Sequence, residues 1–421
     1  MEIGEVASFQ NGYAFKSKDF VQDGKYKIIK IKELKDGKVR FFNDSASVNV
    51  DDERIIEKYI AEKGDVLFAL TGDPVNKNNP LSWVGRVSVY EDDQLALLNQ
   101  RVCKLVPKEG INAKYIYYYF RAFDNFYALA SIAKGSASQA NISTKDIEAM
   151  EIALPSLNIQ NKIVSVLDSI EEKINQNNKI NNNLEQQAVL LFKKWFIEFD
   201  NTSKNILETR FGLIPESFKL LKNGELPLVV TDYVANGSFA SLKANVTLYQ
   251  EPNYAYFIRN TDLKSGTFGV FVDEHSYNFL SKSTLYGGEI IISNVGDVGS
   301  VFLCPKLDKP MTLGNNIIML RPEQENLQYY LYIWFKWLYG QSLIQEIKGG
   351  SAQPKFNKTD FKNLPIFLPP DDLLEQFHQI VKPMFELIDE NNAEKKALTI
   401  TRDTLLPRLM SGELDVSDID L

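Results

Sequence analysis

The sequence predicts an α+β protein: two similar mixed α/β domains separated by a long antiparallel two-helix coiled coil, with a pseudo-two-fold internal repeat. Three observations carry this. First, the chain says nearly the same thing twice. KGSASQANISTKDIEAMEIALPS (Lys134 to Ser156) and KGGSAQPKFNKTDFKNLPIFLPP (Lys348 to Pro370) align without a gap at an offset of 214 residues. They share Lys134/Lys348, Gly135/Gly349, Gln139/Gln353, Asp146/Asp360, Ile152/Ile366, Leu154/Leu368 and Pro155/Pro369. A duplication of this size means two like modules, not a solenoid of short units. Second, strand-like text comes before an aromatic helical stretch in each half. Third, a heptad seam follows each half.

Each module opens with short β-branched or aromatic runs bounded by Gly and Asp turns, which read as strands. YKIIKIKEL, GDVLFAL and GRVSVY in the first half answer YAYFIRN, GEIIISN and GSVFL in the second. Helical stretches rich in rings follow, from Asn112 to Ser131 and from Asn326 to Ile347. Rings at helical spacing bury large apolar area and read as core.

After Pro155, with Ser156 as N-cap, apolar residues from Ile163 to Trp195 recur in alternating steps of four and three. That is a coiled-coil seam. The second seam runs from Phe377 to Leu409, and both are polar in the middle, at Asn177 and Asn181 and at Asn391 and Lys395. Pairing about a two-fold places Asn177 and Asn391 near the axis as a register-setting pair. Pro383 is expected to kink or loosen the second helix. The expected boundaries are 1–155 and 228–369 for the modules, 156–200 and 370–411 for the spacer helices, 201–227 for a Gly/Pro-bearing linker and 412–421 for a tail.

Composition excludes several classes. The net charge is −8, but residues 370–421 hold twelve Asp/Glu against five Lys/Arg, so the rest of the chain is nearly neutral. Neutral modules can still present basic loops to phosphate. Cys103 and Cys304 read as apolar fillers rather than a disulfide or metal framework. The start lacks a basic n-region and an apolar h-region, and no apolar run reaches membrane-spanning length. A cytoplasmic protein without membrane contact is expected. Neither an [ND]-P-P-[YF] motif for a flipped base nor a Walker phosphate loop occurs. His275 and His378, the two histidines, lack a nearby ligand set. The chain is therefore expected to be non-catalytic, with no cofactor or metal of its own. Composition and periodicity alone leave open a two-domain interaction protein that binds protein or glycan.

Several motifs narrow this. LLPRLMSGELDVSDIDL (Leu405 to Leu421), LFKKWFIEFD (Leu191 to Asp200), GLIPESF between the halves and the twice-present G-S-x-Q…L-P run resemble type I restriction–modification specificity (S) subunits. The likeness covers essentially the whole chain. One departure is that GLIPESF, with Phe218 in a Trp place, stands only between the halves.

The resemblance implies two target recognition domains reading a bipartite, asymmetric site in double-stranded DNA of a bacterium or archaeon. It also implies a coiled coil that fixes the gap, two docked adenine-N6 methyltransferase (M) subunits, and restriction (R) subunits in the full complex. Base edges are read by Arg, Lys, Asn, Gln, Ser and Thr. The first module carries ten extra residues, PVNKNNPLSW, so Asn76, Lys77, Asn78 and Asn79 are candidate readers, with Trp83 as an anchor. Gln139 and Gln353 are also candidates, although both copies keep them, which favours a structural role. Arg86, Lys243, Asn245, Lys355 and Lys358 are weaker candidates, suited to phosphate.

Overall fold

A computed structural model describes residues 1–74, 83–136, 139–198, 206–209, 212–350 and 353–419. The chain divides into two compact units, one of Met1–Asn177 with Glu394–Leu421 and one of Asn178–Ala393.

The first unit is built on two main sheets. One runs in the order Ala7–Asn11, Val102–Pro107, Val66–Ala69, Val87–Val89, Lys38–Val39, Leu34–Lys35. The other orders Phe20–Val21, Ser47–Val48, Tyr26–Ile29, Ala96–Leu98 and Ile60–Ala61. Its central pair is parallel, with Leu97 opposite Ile28. Strands buried on both faces read as continuous apolar text, and Val66–Ala69 and Ala96–Leu98 are buried throughout.

The second unit repeats this plan. Leu228–Asp232, Ile317–Pro322, Ile290–Ser293 and Val301–Leu303 form its first sheet. Leu248–Tyr249, Phe271–Val272, Ala255–Ile258, Met311–Leu313 and Thr284–Leu285 form its second. Again the central pair is parallel, with Phe257 opposite Thr312. Inside the stretch read as linker, Ile206–Thr209 pairs with Gly212–Pro215, and Lys219–Lys222 pairs with Pro365–Leu368.

The aromatic stretches are helical but not continuous. Ala113–Arg121 gives way to Phe123–Ser131 at Ala122, and Asn326–Lys336 to Leu338–Glu346 at Trp337. Both breaking residues are extended. Side-chain amides then serve nearby carbonyls that helix continuation would otherwise engage. Asn125 Nδ2 donates to the Tyr119 carbonyl (2.9 Å), and Gln341 Nε2 to the Phe335 carbonyl (2.5 Å). Tyr115, Tyr118 and Phe120 are buried in one core, and Tyr330, Trp334 and Phe335 in the other.

The long helices are Leu157–Phe196 and Asp371–Met410. The second continues through Pro383. Within the first unit, Ile163, Val164 and Leu167 join Leu406, Leu409 and Met410 in the core. Within the second, Ala188, Phe192 and Phe196 join Leu374, Phe377 and Val381. The helix ends are thus parts of the domain cores, not free-standing spacers. Val416 of the tail enters the first core, much as Ile214 and Phe218 enter the second.

Cys103 and Cys304 are free and buried, and burial pushes both thiols well above their usual pKa. Among the described residues, no helix is long and apolar enough to cross a membrane.

Candidate nucleic-acid interface

The repeated motif forms the same local arrangement in both units. In the first, Gln139–Asn141 pairs with Lys134–Ser136 on one side and Thr71–Gly72 on the other. The Thr71 hydroxyl donates to Asn141 Oδ1 (2.8 Å). In the second, Gly349 and Lys355 exchange backbone bonds of 2.9 and 2.8 Å. That turn sits against the loop at Asn294: Phe356 N donates to the Asn294 carbonyl (3.0 Å) and Gly296 N to the Pro354 carbonyl (2.8 Å). Each unit therefore packs the residues that follow Gln139 or Gln353 against the turn that follows a buried central strand.

In the first unit that turn carries the insertion. Asn76, Lys77, Asn78 and Asn79 lie outside the described residues. Its two ends are pinned together, because Trp83 N donates to Asp73 Oδ1 (3.0 Å). The Arg86 guanidinium lies 4.0 Å from the centre of the Trp83 ring. Burial pulls the Arg86 pKa down, and Asp73 and Asp36 oppose this. Arg86 stays cationic, and its stacking makes it an anchor at the root of the insertion.

The second unit has no insertion at the matching place. Asp297, the counterpart of Asp73, binds Lys264 Nζ (2.6 Å) and accepts from Ser300 Oγ (2.5 Å). Lys264, then Ser300, hold its carboxyl below the usual range. The structure keeps the remaining candidates apart in role. Gln139, Gln353, Lys355 and Lys243 are exposed. Lys358 pairs with Asp232 at 3.1 Å, and Asn245 turns back to donate to the Ser241 carbonyl (2.9 Å).

The helix centres are polar as the seams imply. In the first unit, Asn177, fully buried, donates to Glu394 Oε2 (2.7 Å), which Lys173 also meets at 3.2 Å. The bond from Asn177, then Lys173, lowers the Glu394 pKa. Arg402, a cation in the second seam, meets Glu171 at 2.8 Å. In the second unit, Asn391 donates to Asn181 Oδ1 (2.8 Å), and Asn181 donates to Asn392 Oδ1 (3.1 Å). Seam spacing marks Asn177, Asn181 and Asn391 but not Asn392 or Glu394, which lie off the seam.

Each unit also clamps an aromatic helix to the first long helix through one carboxylate. Asp168 takes Lys114 Nζ and the Tyr118 hydroxyl, both at 2.7 Å. Glu185 takes the Tyr332 hydroxyl (2.8 Å) and Lys336 Nζ.

A model of the type I restriction modification DNA specificity domain matches residues 1–186 and again 215–401. The chain belongs to this family. It is similar to the MjaIX type I restriction enzyme specificity subunit of Methanocaldococcus jannaschii, at 27% identity over 76% of this chain and 73% of that one. It is similar to the HindI specificity subunit of Haemophilus influenzae at 23%, covering 69% and 74%. It is also similar to the EcoBI specificity subunit of Escherichia coli at 24%, covering 98% and 85%. Its fold matches the crystal structure of a type I restriction-modification S subunit from M. genitalium, with a TM-score of 0.57 at 18% identity over 99% of this chain and 96% of that one. The two family domains and the long helix between them give the doubled DNA-specificity architecture that the motifs imply.

Proposed function

We propose that this protein is the sequence-specific DNA-binding subunit of a type I restriction–modification complex. It reads a bipartite, asymmetric site and carries M and R subunits, without performing catalysis itself. The observation that carries the reading is the doubled DNA-specificity domain. Two copies of one scaffold, with different loops at the same turn, suit two different half-sites. Residues 1–155 and 228–369 act as the readers, and the paired helices set the gap.

In the first reader, the insertion rooted at Asp73, Trp83 and Arg86 supplies base contacts through Asn76, Lys77, Asn78 and Asn79. Exposed Gln139, Gln353, Lys355 and Lys243 supply further polar contacts, largely to phosphate. Asn177 and Asn391 fix the helix register, because an amide facing Leu or Ile in a slipped register is left unpaired.

The test uses purified chain with and without its M subunit. Site-specific adenine methylation should appear only when both are present. Methylation by the chain alone would sink the proposal.

A further inference from the structure

The second unit exposes a large ring that its fold does not use. Phe239 opens the short helix Phe239–Asn245 and is 81% exposed. The helix is anchored by other means. Leu242 is buried beside Phe257, Val272 and Leu280. Asn236 fastens the preceding turn, donating to Ser283 Oγ (2.7 Å) and accepting from Lys282 N (2.9 Å).

The first unit packs the ring that follows its own Asn-Gly pair. Phe15 follows Asn11-Gly12 as Phe239 follows Asn236-Gly237, although strand pairing sets Asn11 level with Asp232, so the two rings hold different places in the fold. Phe15 packs edge-on to Tyr13 at 4.8 Å and against the cluster of Tyr26, Ile28 and Val48.

The surroundings indicate what meets it. Lys243 is exposed and follows Phe239 by four residues, one turn along the same face. Lys282, also exposed, adjoins through Asn236. From Tyr233 to Gln250 the chain holds no carboxylate, although its net charge is −8. Val234 and Leu248 are exposed nearby, so a protein partner is the competing occupant. The two exposed lysines favour a polyanion, with Asp232 already paired to Lys358 and Asp273 engaged as a helix cap. A ring offers apolar contact to a thymine methyl or wedges at a base step, while ammonium groups hold phosphates.

We propose that Phe239, flanked by Lys243 and Lys282, contacts the bases of the half-site read by the second unit. This rests on the DNA-specificity reading above. The experiment uses the complex with the M subunit, after methylation mapping of the wild type has defined the site. Phe239→Ala and Phe239→Trp are compared on the cognate duplex and on duplexes altered in either half-site.

Phe239→Ala should melt with the wild type yet bind cognate duplex about tenfold more weakly, the scale of one mismatched base pair. Its discrimination should fall in the second half-site alone. Phe239→Trp should retain most binding. Lys243→Ala with Lys282→Ala should weaken all duplexes alike and flatten the salt dependence. Wild-type affinity and discrimination in Phe239→Ala would overturn the proposal. So would weaker assembly with M and unchanged discrimination, since that assigns the patch to a protein partner. A wild-type complex with no sequence preference would instead remove the underlying reading.

Discussion

The two units share their central sheets and differ at the sheet edges. Both thread four strands in one order and place a parallel pair at the middle of a second sheet. After the parallel strand, however, the first unit makes a hairpin through Asp36 and Gly37, both at positive φ, as a two-residue turn requires. The second makes the helix Asn260–Ser265 there, closed by Gly266 in the left-handed region. The first inserts residues between Asp73 and Trp83, and the second exposes Phe239. A rigid frame common to both units leaves turns free to differ, and contacts that distinguish sequences belong on such turns.

If the frames are equivalent, matched core losses should be equal. Phe120 packs edge-on to Phe68 at 5.3 Å, and Phe335 lies 5.1 Å from Phe361; both are buried. Phe120→Ala and Phe335→Ala should each cost roughly 3–5 kcal/mol. Denaturant unfolding checks this, and a much smaller loss in one unit would break the equivalence.

A smaller effect separates the helix centres. Asn177→Ala leaves Glu394 with Lys173, and Asn391→Ala leaves Asn181 with Asn392. Each should cost about 1 kcal/mol, the typical worth of one hydrogen bond. Thermal melting of the two variants side by side reads the difference.

The smallest effect is a pH dependence at the helix centre of the first unit. Glu394 titrates below its ordinary value because Asn177 and Lys173 favour the carboxylate. A depressed folded pKa contributes stability above the unfolded value, about 4.3, that is lost as pH falls through the folded value. Asn177→Ala should reduce that acid sensitivity, measurable as the change in melting temperature between neutral and acidic buffer. Asn391→Ala should leave it unchanged.

Much of the frame was legible because the repeat keeps its strands, its Lys-Gly…Gln motif and its seams. The breaks at Ala122 and Trp337 were not legible. Neither residue is a Gly or Pro, and the helices divide where the side-chain amides of Asn125 and Gln341 fold back on the Tyr119 and Phe335 carbonyls, a rotamer choice that residue type does not mark. Pro383 does not end the helix, and Phe377, Val381 and Phe385 are buried in the core on both sides of it. The candidate site was legible in part. Asp73 and Trp83 bracket the insertion in sequence, but the stack of Arg86 on Trp83 depends on how the strand returns. Lys358 looked free for phosphate because its partner, Asp232, lies 126 residues away. Phe239 was missed because an exposed and a buried phenylalanine read alike in sequence.

The most direct measurement of the central claim is a module exchange followed by methylation mapping of the assembled complex. Residues 1–150 are replaced by the matching region of another family member. One half of the recognised sequence should change, and the other half and the gap between them should stay the same. Changes in both halves, or an unchanged site, would contradict two independent readers on a shared frame.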